Sequence, residues 1–200
     1  MAVISDGFIG RRSSAERVLP PGQYLTNDFP VLSAGPTPVV SREQWTFDVT
    51  DVWGEQRRWN FNDLLDAGPE DIEADLHCVT GWSKFDTHWR GITVDALLQS
   101  AAVSREQHVL VHSTGGYTTN VPVSDLLDRR AWLVYEYESE PLTPEHGGPV
   151  RLLVPHLYLW KSAKWVRAFN LTRELEYGFW ERLGYHEYGD PWQEQRYSSD

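Results

Sequence analysis

The alternation of apolar and polar positions marks out many short elements along this chain. Trp45-Thr-Phe-Asp-Val49 alternates at every residue and predicts a strand with Trp45, Phe47 and Val49 on one face. Residues 71–78, Asp-Ile-Glu-Ala-Asp-Leu-His-Cys, do the same, so Ile72, Ala74, Leu76 and Cys78 share an apolar face. Further strands are predicted over His108 to His112, Ala131 to Tyr137, Pro149 to Val154 and Trp165 to Leu171, with Tyr117 to Val123 extended. The predicted helices are short. One runs from Asn62 to Ala67 and stops at Gly68-Pro69. Thr93 caps a second, to about Ala102, and Ser124 caps a third over Asp125 to Arg130. Lys161 to Lys164 reads as a single helical turn. Pro30, Pro36 and Pro38 keep Tyr24 to Pro38 extended. Residues 1–23 lack periodicity and read as an extended N-terminal arm, leaving 24–200 as one domain. The fold class that follows is α+β, mixed and rich in short strands.

Charge narrows the function classes. The chain has 18 basic and 29 acidic residues and a net charge of −11. That argues against a nucleic-acid or anionic-membrane binder. No apolar run reaches the length of a membrane span, and Arg11-Arg12 is followed by no apolar export core. A single cysteine excludes an intrachain disulfide and fits a reducing, cytoplasmic setting. Ten Trp and nine Tyr are many for 200 residues, and aromatics line cavities as well as cores.

Three groups of residues carry candidate chemistry. Cys78 ends its strand, and the following segment, Val79 to Gly91, reads as a loop rich in Gly, Trp, Ser and His. A thiol placed there suits a metal ligand or a nucleophile, although a lone cysteine is commonly a small buried apolar residue. His77 points to the opposite face, and no two ligand-type residues have zinc-finger spacing. A Cys–His pair needs only proximity in space and stays open. The second group is His146-Gly-Gly-Pro-Val-Arg151 followed by Lys161-Ser-Ala-Lys164. Arg151 offers a planar fork, while Ser162, Ala163 and Lys164 offer backbone N–H groups and an ammonium, a set that fits a phosphate. Solvated surface charges are the plainer alternative. The third is Tyr24-Leu-Thr-Asn-Asp-Phe-Pro30, where Asn27 and Asp28 suit either a heterocycle edge or local turn bonds.

Taken together, these residues resemble the molybdopterin-binding domain of the sulfite oxidase superfamily, in particular its stand-alone bacterial members. The landmarks are residues 26–31, 45–49, 76–82, 89–92, 112–120, 146–151 and 160–165, in the family's order. The resemblance implies that fold, a molybdenum-molybdopterin cofactor, and a Cys78 thiolate on the metal. It also implies that Asn27, Phe29, Pro30 and Val31 contact the pterin. His112, Ser113, Thr114, His146 and Arg151 would continue the pocket, and Ser162, Ala163 and Lys164 would hold the terminal phosphate.

The departures matter too. Where animal and plant sulfite oxidases carry substrate-holding arginines and a tyrosine, this chain has Thr26, Gly81-Trp82-Ser83 and Gly147-Gly148. Sulfite is therefore a poor expected substrate, and Tyr117, Thr118 and Trp82 suggest a more neutral mouth. Lys84, His88 and Arg90 are the remaining nearby cations. The expected activity is oxygen-atom transfer on a small S- or N-oxide. A separate electron-transfer protein is expected because the chain carries no haem motif. A monomer is expected because the family's dimerisation domain is missing. Sulfite-type oxidation, and a cofactor carrier without turnover, are the alternatives. A metal-free thiol enzyme is a third.

Overall fold

The computed structural model describes residues 17–99 and 101–200, so the predicted arm lies outside it up to position 16. The chain forms β1 (Tyr24–Leu25), β2 (Thr46–Thr50), β3 (Gln56–Asn60), α1 (Phe61–Asp66), β4 (Glu70–His77) and β5 (Trp82–Thr93). It continues through α2 (Val94–Leu98), β6 (His108–Ser113), β7 (Thr118–Pro122), β8 (Trp132–Tyr137), β9 (Glu140–Pro141), β10 (Arg151–Leu153) and β11 (Val166–Thr172). Two mixed sheets result. One runs β1-β5-β8-β10, with β4 and β9 paired alongside; the other runs β3-β2-β11-β6-β7. The α+β, strand-rich class follows from this arrangement. The main core includes Phe47, Phe169, Ile92, Leu97, Leu133 and Leu152, all buried. A smaller cluster under β4 and β5 holds Leu76, Cys78, Trp82, Trp89 and Leu153. Arg151 sits between Val150 and Leu152, which both belong to the main core, so strand alternation turns it to the other face.

The structure corrects four local expectations. Val79 to Gly91 is not a loop: Trp82–Thr93 is a twelve-residue strand. Its Thr87 and Trp89 point inward, while His88 and Arg90 lie opposite Glu73 and Asp71. A strand whose outer face carries charges that pair across to a neighbour loses its apolar signature. Edge strand β3, Gln-Arg-Arg-Trp-Asn, was not anticipated for the same reason, with Arg58 paired to Asp48 at 2.7 Å. The helix capped by Thr93 forms but stops at Leu98, short of Ala102.

The helix over Asp125 to Arg130 does not form. A single 3-10 turn, Val123–Asp125, lacks a side-chain cap. The Asp95 carboxylate accepts the Asp128 and Arg129 amides at 2.8 and 2.9 Å, and both residues adopt positive φ. That carboxylate competes with the helix for the same amides. Finally, the turn predicted at Lys161 to Lys164 lies earlier, at Leu159–Lys161.

Lys161 explains that shift. Its ammonium is drawn fully inside and donates to Asn120 Oδ1 at 3.0 Å, Glu181 Oε1 at 2.6 Å and the Glu187 carbonyl at 2.6 Å. Neither partner of the Lys161–Glu181 pair is appreciably exposed. Removing one charge from such a pair leaves the other buried and uncompensated. Lys161→Met is therefore expected to cost about 3–5 kcal/mol in denaturant unfolding. The double variant Lys161→Met/Glu181→Leu should recover much of that loss. A single variant as stable as the parent would contradict the pair's structural role.

Candidate active site

Cys78 stands at the turn between β4 and β5. The Cys78 carbonyl accepts the Gly81 amide at 3.0 Å, and the Cys78 amide donates to the Trp82 carbonyl at 2.8 Å. Gly81, at φ +101°, supplies the left-handed conformation this tight hairpin requires. The side chain is 6% exposed, with Sγ 3.1 Å from Thr80 Oγ1. Burial pushes the thiol's pKa up, while the Thr80 contact and the charges of Arg196 and Lys164 pull it down. His77 turns the other way, its Nδ1 2.8 Å from Ser83 Oγ.

Cys78 lines a cavity of about 440 Å³ together with Phe29, Pro30, Thr114, Arg151, Ser162, Ala163 and Lys164. Residues separated by more than a hundred positions meet here. Arg151 is almost wholly buried and donates to the carbonyls of Ser162 at 2.8 Å and His146 at 3.0 Å. Burial lowers its pKa to about 10, still well above neutrality. Lys164 donates to the carbonyls of Leu32 and Glu145 at 2.8 and 2.6 Å. Burial, then Arg151, push its pKa down to about 8. Neither cation has a carboxylate partner among the described residues, and no carboxylate lines the cavity. A chain of net charge −11 thus keeps two cations facing an acid-free cavity.

The sequence-derived site residues divide by position. Ser162 lines the cavity, but its amide is already bonded to the Leu159 carbonyl and its hydroxyl accepts the Val154 amide at 2.8 Å. The amides of Ala163 and Lys164 meet no acceptor among the described residues. His146 lies just behind the lining, stacked on Phe29 with centroids 4.0 Å apart. Burial and the two neighbouring cations lower its pKa to about 4, so it is neutral at pH 7.

Asn27, Val31, His112 and Ser113 do not line the cavity. The Asn27 carbonyl accepts Lys84 Nζ at 2.6 Å, and Val31 is half exposed. His112 Nε2 lies 3.1 Å from Asn170 Nδ2, and Ser113 is buried with an unpartnered hydroxyl. Lys84, His88 and Arg90 stay outside the cavity as well, the last two on the outer face of β5 near Glu138 and Asp71. Of the residues expected at a neutral mouth, Trp82 and Tyr117 line the cavity and Thr118 does not. Sequence reasoning missed Trp160, Phe179, Trp180 and Tyr185, which supply much of the aromatic wall. Trp160 stood in the 160–165 landmark without a role of its own, and for Phe179, Trp180 and Tyr185 the only signal was the aromatic density of the chain from Tyr177 onward, which carried no periodicity.

The residues present suit a phosphorylated metal cofactor. Two cations without carboxylate partners and two free amides can receive a phosphate, and the Cys78 thiol, a soft ligand once deprotonated on a metal, lines the same cavity. Among the described residues no three His, Cys, Asp or Glu side chains gather into a cage of their own. Fold and cavity define a cofactor-binding domain. Residues 34–180 match the family model described as oxidoreductase molybdopterin binding domain. The chain is 42% identical over 192 residues to a Bacillus subtilis protein described as the uncharacterized oxidoreductase YuiH, covering 95% of this chain and 97% of that one. It is 24% identical to the putative protein-methionine-sulfoxide reductase subunit YedZ1 of Azospira oryzae, covering 75% of this chain and 57% of that one. The sulfane dehydrogenase SoxCD of Paracoccus pantotrophus shares the fold. Its TM-score is 0.63 at 18% identity, over 74% of this chain and 42% of that one. The chain belongs to the oxidoreductase molybdopterin-binding domain family. It is an oxidoreductase, and its cofactor is molybdenum-molybdopterin. Among the described residues no helix is long and apolar enough to cross a membrane.

Proposed function

We propose that this oxidoreductase reduces a small, uncharged S-oxide or N-oxide, with the Cys78 thiolate ligating molybdenum. One observation carries the reading. Arg151 and Lys164 are the only basic side chains lining the cavity among the described residues, and the rest of its wall carries no carboxylate and includes eight aromatic side chains. A phosphate at Arg151, Lys164 and the Ala163 and Lys164 amides engages both cations and leaves none for an oxyanion substrate. Trp82, Tyr117, Trp160 and Trp180 then offer apolar contacts to the carbons of a neutral substrate. The name of the YedZ1 relative points in the same direction. When bound, the cofactor supplies the two-electron chemistry that oxygen-atom transfer needs. An S-oxide takes up two electrons and two protons and leaves as thioether and water. The electrons come from a separate donor protein, and the protons from solvent at the cavity mouth.

A substrate screen tests this. With a reduced dye as donor, dialkyl sulfoxides or tertiary amine N-oxides should turn over. Sulfite with an oxidising dye should be slower in kcat/KM by about 10²–10⁴-fold, given two charge-assisted bonds lost at about 1.5–3 kcal/mol each. Sulfite oxidised faster than every S- or N-oxide is reduced would overturn the proposal.

Lys164 also sets a pH dependence. Its ammonium is charged below about pH 8 and loses its proton above it. Attraction for an anion is therefore present at low pH and fades as pH rises. A bound phosphate favours the charged form, so the loss begins at or above that value. Holoenzyme dialysed at rising pH should retain its molybdenum at pH 7 and lose it progressively beyond pH 8. Retention that is flat to pH 10 would argue against Lys164 as an anion ligand.

A further inference from the structure

Two segments far apart in the sequence, around residues 21–23 and Arg196, meet at the turn that carries Cys78. Arg196, near the C-terminus, donates through Nη1 to the Val79 carbonyl. Its Nη2 lies 3.4 Å from the carbonyl oxygens of both Pro21 and Gly22. Its guanidinium also sits over the Tyr158 ring, 5.4 Å from the centroid. Glu194 Oε1 is 3.5 Å from Arg196 Nε and is the carboxylate facing it. The side chain is only 16% exposed, unlike most arginines of this protein. From the other side, Gln23 Nε2 donates to the Cys78 carbonyl at 3.1 Å, and Ser83 Oγ donates to Gln23 Oε1 at 3.2 Å. The packing leaves no slack. A Cβ on Gly22 would lie 2.7 Å from Glu194 Oε1 and 2.9 Å from Arg196 Nη2.

We propose that Arg196 is a positioning residue for Cys78: its guanidinium ties the Val79 carbonyl to the 21–22 segment and fixes where the thiol points. The inference rests on the Cys78 ligation proposed above. Gln23 Nε2 and the Tyr24 amide hold the Cys78 and Gly81 carbonyls at the two ends of the turn, at 3.1 and 2.8 Å, while Val79 and Thr80 between them belong to no strand. A guanidinium is suited to the task because its planar fork reaches carbonyls on two segments at once. Arg196 touches neither substrate nor metal in this scheme.

The test uses the full chain in two forms. Cys78 is the only cysteine, so alkylation by iodoacetamide reports it alone. In protein from a host that makes no cofactor, the pH-independent rate constant for alkylation of the thiolate, taken from the rate's pH profile, should rise about tenfold in Arg196→Gln, the loss of one charge-assisted bond. Arg196→Lys keeps the charge but reaches one carbonyl only, and should fall between the two. In holoenzyme, Arg196→Gln should keep its molybdenum while the thiolate-to-metal absorption weakens or shifts. A general loss of stability would not produce that combination at unchanged metal content. Parent-like alkylation and parent-like absorption in Arg196→Gln overturn the inference. If Arg196→Gln cannot be purified, parent-like alkylation in Arg196→Lys does so. Failure of the ligation reading looks different: Cys78→Ser then leaves the absorption in place, whatever Arg196 variants do to alkylation.

Discussion

Replacing Cys78 by serine is expected to remove the thiolate-to-metal absorption and to lower turnover by about a hundredfold or more, since even outer-shell partners of metal ligands cost 10–100-fold. The substitution is nearly isosteric at a site that is 6% exposed, so the fold should hold. A serine hydroxyl is a harder and far less acidic ligand than a thiol, so it replaces the sulfur poorly on a soft metal centre. The pterin should remain, because the anion-binding cations lie elsewhere in the cavity. Absorption spectra, molybdenum content and dye-linked turnover measured on one preparation check all three points. An unchanged spectrum together with unchanged turnover would remove Cys78 from the metal.

The second large effect concerns the two cations that line the same cavity. Lys164→Met should weaken cofactor retention by about 10–100-fold, the loss of one charge-assisted contact. Methionine keeps most of the side-chain volume, so packing on Gly147 is preserved. Arg151→Met should reduce occupancy at least as much. It also strips the buried carbonyls of His146 and Ser162 of their donor, so it should cost stability of about 1–3 kcal/mol besides. Molybdenum per chain after gel filtration reads the first effect, and unfolding of the cofactor-free chain reads the second. Full occupancy in both variants would remove the phosphate assignment. The two experiments separate cleanly, because Cys78→Ser should spare cofactor content and Lys164→Met should spare the absorption of whatever cofactor remains.

The legible parts of this fold are those with a simple period. Trp45 to Val49, Ala131 to Tyr137 and Trp165 to Leu171 each expose one apolar face to a core, and β2, β8 and β11 formed there. Strand β5 was opaque because its inner residues are Thr87, Trp89 and a glycine, and its outer face is charged. The helix after Ser124 failed for a reason that no local pattern contains. Asp95, thirty-three positions away from Asp128, takes the amides it needed. Lys161 reads from the sequence as the start of a helical turn in the phosphate-fitting group, with a solvated surface charge as the alternative, and it is neither exposed nor on the cavity wall. Its burial depends on Asn120, Glu181 and Glu187, which reach it from separate segments.

The same division holds at the site. Cys78, Arg151 and Lys164 were identifiable from the sequence, since residue type and local motif carry their chemistry. The sequence alone therefore determined the family, the cofactor class, and the presence of a thiol and two cations suited to its two ends. Only the tertiary structure decided which side chains share the cavity. It turned His112 towards Asn170, placed Lys84, His88 and Arg90 outside, and brought Phe179, Trp180 and Tyr185 into the wall. It alone brought Arg196 against the cysteine turn. The physical reason is that motif and periodicity record what a residue can do within a few positions of chain. What stands opposite it is set by sheet order and by where the tail docks.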